Sequence, residues 1–99
     1  MTTMTKIYLV PQPKFPLGEL YVTAAVDETL APEEIQTALK RHARGDWGDI
    51  STDDRDENES ALCEARRLMS VYRDSKGVEF WIITEADRSV TTVLLPDDY

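Results

Sequence analysis

Acidic side chains are concentrated in one stretch of this sequence, residues 46–64. The stretch contains eight acids and a single base, Arg55. The acids are Asp46, Asp49, Asp53, Asp54, Asp56, Glu57, Glu59 and Glu64. Carboxylates at this density can hold a cation, cap the start of a helix, or form a surface for a basic partner.

A calcium loop is the first of these alternatives to test. The EF-hand loop needs oxygen ligands at positions 1, 3 and 5, glycine at position 6 and glutamate at position 12. Counting from Asp54 places Glu59 at position 6 and Ala65 at position 12, so the glycine turn and the bidentate acid are missing. One His and one Cys cannot supply a zinc site, and no Gly-rich phosphate loop is present. We therefore expect no metal and no cofactor.

A catalytic alternative centres on His42. In a metal-independent ribonuclease or toxin, a helical His would act as general acid or base, and Arg88 would stabilise charge on the phosphate. Ser89, Thr91 and Thr92 would contribute hydroxyl groups. In the opposing interpretation, His42 is a partly buried residue bonded to a neighbour, and the threonines are ordinary strand residues. A lone His on an apolar helix face is more often structural, so we expect a protein without enzymatic activity.

The charge balance limits the classes of partner. The chain has 99 residues, and its 11 Lys and Arg against 19 Asp and Glu give a net charge of −8. A nucleic-acid binder needs the opposite sign to neutralise phosphates, and an anionic membrane surface would repel this chain as well. The sequence therefore predicts one domain over residues 1–99 that binds neither nucleic acid nor membranes directly.

The compartment is indicated by what the sequence lacks. No apolar run approaches the roughly 18 residues needed to span a bilayer. The first residues do not combine a charged segment with a long apolar one, as a signal peptide would. A single cysteine, Cys63, excludes an internal disulfide and is typical of a reducing cytoplasm. We expect a cytoplasmic protein.

Two helices are predicted to position the acids and His42. The first begins near Pro32, with acids in its first turn, and ends before Gly45. Its apolar face repeats at helical spacing and includes His42. The second covers roughly Asp54–Arg67, capped by a residue within 51–53. Between the helices, Trp47 and Ile50 are expected to point inward as anchors.

The rest of the chain predicts strands. Period-two alternation and apolar runs favour five of them: Lys6–Val10, Glu19–Val26, Leu68–Arg73, Val78–Thr84 and Val90–Leu95. The fourth is apolar on both faces apart from Glu79, so we place it centrally. The order ββααβββ predicts an α+β fold, a mainly antiparallel sheet of about five strands with two helices packed on one face.

The C-terminal two-thirds of the chain carries a resemblance. The segments RHARGDWGDI (41–50), NESAL (58–62) and FWIITEADRSVTTVLLPDDY (80–99) resemble a family of small proteins carried on bacterial plasmids, integrative elements and phages. Members of that family have Gly where this chain has Ala65, so the helix-to-strand junction is expected to differ here. The family has no settled activity, and no catalytic residue is carried over from it.

The resemblance implies a setting for the acidic stretch. Small acidic proteins of mobile elements are often anti-CRISPR or antirestriction inhibitors, and these act in the cytoplasm of the bacterial host. The expected partner is a basic nucleic-acid-binding protein or complex, such as a CRISPR effector or a restriction enzyme subunit. All eight acids of residues 46–64 are the predicted partner-binding residues, with Trp47 and Tyr99 as candidate apolar anchors. The remaining alternative is an accessory protein whose acidic face is merely solvated.

Overall fold

The computed structural model describes residues 8–99, and within them four strands form one mixed sheet. The strands are β1 (Glu19–Val22), β2 (Leu68–Arg73), β3 (Glu79–Thr84) and β4 (Val90–Leu94). They are arranged in the order β1-β4-β3-β2, in which β1 runs parallel to β4 and the other neighbours are antiparallel. The predicted α+β class and the interior position of β3 are confirmed. Within residues 8–99 the sheet has four strands, fewer than the predicted number of about five.

Three helices lie in the described part of the chain, where two were predicted. They are α1 (Ala24–Thr29), α2 (Pro32–Ala43) and α3 (Thr52–Glu64), and a short 3-10 turn follows β4 at Pro96–Asp98. Helix α2 begins at its proline and has two acids in its first turn, as predicted. Helix α3 begins and ends earlier than predicted, because Ser51 is its N-cap and Ala65 ends it in a left-handed conformation.

The additional helix replaces the second half of an expected strand. Residues 19–26 alternate in hydropathy, but the chain leaves β1 at Val22 and turns into α1. Thr23 causes the change, because its hydroxyl accepts a hydrogen bond from the Val26 amide at 3.2 Å and so caps the helix. Val26 then becomes a fully buried helical residue. The same residue pattern therefore fits a strand and a helix start, and the cap decides between them.

The expected strand at residues 6–10 lies partly outside the described residues. Residues 8–10, which are described, do not form a strand. The backbone of Leu9 instead pairs with the side chain of Gln36 on α2, donating from its amide at 2.9 Å and accepting at its carbonyl oxygen at 2.5 Å. A side-chain amide thus takes the place that a neighbouring strand would have.

The core lies on one face of the sheet. Val22, Tyr72, Ile82 and Val93 from the four strands pack against buried residues of α1 and α2. A second buried cluster, around Trp47, joins Ala61 of α3 to the same face. The other face carries the alternate residues of each strand, of which Met69, Val71 and Trp81 are half-exposed. The helices therefore cover one face and leave the other partly open beside α3.

Candidate partner-binding surface

The residues that lead into α3 lie along the outer edge of β2. The Val71 amide donates to the Trp47 carbonyl oxygen at 3.1 Å, and the Asp49 amide donates to the Val71 carbonyl oxygen at 2.7 Å. Gly48 has a φ of 78°, and a Cβ there would overlap the Val71 carbonyl oxygen and the Tyr72 ring. Glycine is therefore required at this position, and the paired segment directs the next residues into α3 alongside the sheet.

Helix α3 is held by a few specific contacts. The hydroxyl of Ser51 accepts from the Asp54 amide at 3.0 Å and caps its start. Asn58 is 6% exposed, and its amide group pairs with both the carbonyl oxygen and the amide of Met69, at 2.8 and 3.2 Å. Of the thirteen residues of α3, Asn58 and Ala61 are buried. The helix is polar almost all round, so these contacts hold it in place instead of an amphipathic stripe.

Arg88 caps the other end of α3. Its guanidinium donates to the carbonyl oxygens of Ala61 at 3.0 Å and Arg66 at 2.6 Å, with further bonds inside its own turn. The Ala61 carbonyl lies in the last turn of α3, where it also accepts from the backbone amides of Ala65 and Arg66, and a cation there complements the helix dipole. The donors of Arg88 are therefore used by the backbone. This side chain acts as a cap in the structure and is not directed at a phosphate site.

Five of the eight predicted acids have a partner within the chain. The pairs are Asp46 with Arg41, Asp49 with Arg73, Glu57 and Glu64 with Arg66, and Glu59 with the indole N–H of Trp47. The hydrogen bond from Arg41 also holds the pKa of Asp46 below its ordinary value. Three arginines outside residues 46–64 thus offset part of the charge of the acidic stretch. The ion pairs are exposed, so each contributes little to stability.

The remaining three acids form the uncompensated part of the surface. Asp53, Asp54 and Asp56 are exposed, and no partner for their carboxylates lies within residues 8–99. Asp53 and Asp56 are three residues apart on one helix face, where like charges repel. These three carboxylates are consequently free to interact with another molecule. With the neighbouring Glu57, they define what we call the acidic face of α3.

His42 lies away from this surface, in a buried chain of hydrogen bonds. The hydroxyl of Thr91 donates to the Leu17 carbonyl oxygen at 2.7 Å, so its 2.7 Å bond with Thr84 has the Thr84 hydroxyl as donor. The Thr84 oxygen then accepts from His42 Nε2 at 2.9 Å. Burial lowers the pKa of His42 and keeps its ring neutral, so Nδ1 accepts from the Ser70 hydroxyl at 2.5 Å. Hydrogen-bond accounting therefore assigns His42 as the neutral Nε2–H tautomer.

The residues of the ribonuclease alternative lie in different environments. His42 is 0% exposed, and burial, with a smaller contribution from the charge of Arg88, lowers its pKa to about 3. Thr91 lies beneath the helices in the same chain, whereas Thr92, the next residue of β4, lies on the opposite face. The imidazole of His42 is therefore neutral and has no solvent access. The hydrogen-bonded structural interpretation of His42 agrees with these contacts.

The two expected apolar anchors differ in position. Trp47 is 3% exposed and packs against both Phe15 and His42, so it belongs to the core. Tyr99 is 68% exposed, and its ring meets Trp81 edge-on at 5.7 Å on the open face of the sheet. Its hydroxyl accepts from Arg67 at 2.7 Å. Tyr99 is therefore available to a partner, while Trp47 supports α3 from beneath.

Two further findings concern the described residues alone. Across residues 8–99, the acids, the histidine and the cysteine form no group of three or more that could hold a metal ion. In the same range, no helix has the length and apolar character needed to cross a membrane.

The fold and the surface together define a small α+β domain that presents an exposed acidic helix beside a half-open sheet face. No family model, no curated protein and no solved structure matches the chain. The resemblance to proteins of mobile elements stays a prediction.

Proposed function

We propose that this protein is a non-enzymatic inhibitor of a bacterial defence complex, of anti-CRISPR or antirestriction type. In this proposal the acidic face of α3 occupies a basic surface that normally holds nucleic acid. The supporting observation is that Asp53, Asp54 and Asp56 are exposed and that their carboxylates have no partner within residues 8–99. A helix built only for stability would not place unpaired like charges three residues apart.

The charge density suits competition with nucleic acid. Duplex DNA carries one negative charge per about 1.7 Å of its axis. A helix rises about 1.5 Å per residue, so a face with every second residue acidic reaches roughly half of that density. A groove lined by Lys and Arg would attract both surfaces, and the long-range attraction would speed association of the protein. The partner class is therefore a basic nucleic-acid-binding subunit.

The test is a pull-down from a bacterial host that carries active CRISPR or restriction systems. The tagged protein is compared with the triple variant D53K/D54K/D56K. We expect capture of a nucleic-acid-binding complex by the native chain and its loss in the variant. The thermal unfolding midpoint should change little, because the three side chains are exposed.

A matched control separates the acidic face from net charge. The variant E28K/E33K/D97K changes the net charge by the same amount but alters exposed acids on α1, α2 and the 3-10 turn. It should capture the complex as the native chain does. Capture that survives the α3 reversal, or that is lost equally in both variants, would contradict the proposal. Those results would favour the accessory protein with a solvated face.

Expression in the host addresses the ribonuclease alternative. We expect the native chain to cause no growth arrest and to rescue a phage or plasmid from the targeted defence system. Growth arrest that is relieved by His42→Ala would instead favour an enzyme. No contact of His42 or Arg88 in the structure supports that outcome.

A further inference from the structure

A cleft of about 230 Å³ opens between the start of α3 and the half-exposed face of β2. Its floor is apolar and is formed by Ile50, Met69 and Val71. The carboxylates of Asp54 and Glu57 stand on the α3 side of the cleft, three residues apart on one helix face. The cleft therefore combines an aliphatic floor with an anionic rim, and it adjoins the acidic face of α3.

The walls of the cleft are fixed before any partner arrives. Asn58 lines the cleft and is bonded to both backbone groups of Met69, which locks α3 against β2 at this point. The pairing of Trp47 and Asp49 with the backbone of Val71 holds the lead-in to α3 against the next residues of the same strand. A rigid cleft loses little entropy when it is filled.

One basic side chain of the protein itself lines the cleft, and it bonds to residues outside the cleft. Arg67 lines the cleft, but its guanidinium lies over the Tyr99 ring at 5.4 Å and donates to the Tyr99 hydroxyl. It also approaches Glu85 at 3.6 Å. Asp54 has no partner within residues 8–99, and Glu57 shares one carboxylate oxygen with Arg66 and keeps the other. The rim consequently retains its capacity to accept hydrogen bonds from a second cation.

We propose that this cleft receives an arginine side chain of the partner protein. The inference rests on the proposed function, and it assigns the chemistry of one contact within that interface. The aliphatic stem of the arginine lies on Ile50, Met69 and Val71, and the guanidinium meets Asp54 and Glu57. Long cationic side chains cover apolar surface with their stems while their charged ends stay at a polar rim.

Arginine suits this cleft better than lysine does. Two carboxylates separated along a helix face can each accept from a different N–H of the planar guanidinium, whereas an ammonium is a compact point charge. Guanidinium is also more weakly hydrated, so it loses less on contact with an apolar floor. Arginine is the cation that nucleic-acid-binding grooves use for bidentate phosphate contacts, and the two carboxylates would replace the phosphate.

The test is an NMR titration of the ¹⁵N-labelled protein, without any host complex. The probe is the blocked peptide acetyl-Gly-Arg-Gly-amide, and its isosteric control has citrulline in place of arginine. At physiological ionic strength, we expect saturable shifts of the Met69 and Val71 amides and of the Asn58 side-chain amide. The dissociation constant should lie in the millimolar range, and the citrulline peptide should cause no saturable shift.

Variants locate the binding site. D54N/E57Q should weaken binding about tenfold, because charge-assisted hydrogen bonds are lost. E28Q/E33Q removes the same charge from α1 and α2, which do not line the cleft, and should leave the affinity within about twofold, since exposed charges act weakly at a distance. Val71→Thr keeps a strand-forming residue but makes the floor more polar, and it should weaken binding several-fold.

Absence of saturable shifts would overturn the arginine cleft, as would equal weakening in the two double variants. Neither result would affect the proposed function, which is tested separately by capture of the host complex. Conversely, peptide binding in the cleft together with failed capture would contradict the inhibitor and leave an arginine-binding cleft in a protein of another role.

Discussion

At the scale of single residues, His42 connects the helical layer to the sheet. Its ring is bonded to β2 through Ser70 and to β3 through Thr84, and the chain continues to Thr91 in β4. The sequence predicted that His42 faces the core, since it repeats at helical spacing. It could not predict these partners, because Ser70, Thr84 and Thr91 meet only when three strands are in register. Every polar side-chain group of this hydrogen-bond network is paired, so the network specifies the register of the three strands.

The buried neutral His42 predicts a loss of stability in mild acid. Its folded pKa is about 3, below the ordinary value of 6.5. The unfolded chain therefore binds a proton below pH about 6.5 that the folded chain excludes, so this contribution is complete above that pH and falls as pH decreases. The expected slope between pH about 6.5 and 5 approaches 1.4 kcal/mol per unit, measured by urea unfolding.

The pH window separates His42 from the carboxylates. Asp46, Asp87 and Asp98 have lowered pKa values, so their contributions are lost only in stronger acid. The variant His42→Gln should be less stable at neutral pH but should show a nearly flat profile across the window. An equally steep profile in native protein and variant would show that another group titrates there.

Ala65 has the backbone conformation that a glycine usually adopts at a helix end. Its φ is 53° and its ψ is 51°, and its amide bonds the Ala61 carbonyl oxygen. A side chain in this region costs about 1–2 kcal/mol. Ala65→Gly should therefore stabilise the protein by about 0.5–1 kcal/mol, after the greater entropy of unfolded glycine is subtracted. Thermal or urea unfolding would measure the change.

A glycine elsewhere in α3 provides the comparison. Ser60 lies in the interior of the same helix, where glycine is unfavourable, so Ser60→Gly should destabilise by about 0.5 kcal/mol. Destabilisation by both substitutions would mean that the left-handed turn at Ala65 is not strained.

At the scale of elements, local sequence signals predicted those structures whose causes are local. The start of α2 follows from its proline and acids, and β2 has the predicted bounds because its alternation is unambiguous. The parallel pairing of β1 with β4 joins residues about seventy positions apart, and no local pattern encodes it. The prediction of a single strand over residues 19–26 was wrong, because strand-like alternation and the Thr23 helix cap occur in the same few residues.

The attachment of α3 likewise depends on tertiary contacts. The acidic stretch predicted an exposed helix start, but its apolar stripe was too thin to show what holds the helix. Asn58 was the available signal, since asparagine is a poor residue for a helix interior. The role of Asn58 becomes clear only in the fold, where its side chain bonds to both backbone groups of Met69 at the edge of β2. The ion-pair partners Arg41, Arg66 and Arg73 lie outside the stretch and were missed for the same reason.

Asn58→Ala should release α3 from the sheet. The substitution removes two hydrogen bonds and leaves both backbone groups of Met69 without their partner at a partly buried edge. We expect a loss of about 2 kcal/mol in the free energy of unfolding. Hydrogen exchange should show faster exchange of the α3 amides, while the amides of β3 and β4 keep their protection relative to global stability.

An exposed position on the same helix gives the control. Cys63 points to solvent, and Cys63→Ala should change neither the stability nor the exchange of α3 by a measurable amount. If Asn58→Ala leaves exchange in α3 unchanged, the Ser51 and Arg88 caps alone are sufficient to hold the helix.

At the scale of the whole molecule, some of the acidic side chains are paired with bases of the chain and others are not. Internal pairs offset part of the acidic stretch, yet the chain as a whole keeps a net charge of −8. Asp53, Asp54 and Asp56 protrude from the surface, where their mutual repulsion acts on the folded state more than on an expanded chain. This repulsion is concentrated on one helix, and Arg41 and Arg66, which lie close to the acidic stretch in the sequence, are already paired with Asp46, Glu57 and Glu64.

The uncompensated charge predicts that salt stabilises the protein. Raising the ionic strength from about 0.01 M to about 0.1 M shortens the Debye length from about 30 to about 10 Å, so repulsion across the surface is screened. Screening also weakens the exposed ion pairs, but each contributes little. The free energy of unfolding should therefore rise with salt in the native chain, and the rise should be smaller in D53N/D54N/D56N. Chloride salts of sodium and potassium should act alike, because screening depends on ionic strength. A fall in stability with salt would show that the ion pairs contribute more to the free energy of unfolding than the repulsion removes. It would also contradict the argument that unpaired, mutually repelling acids on α3 form a surface for a basic partner.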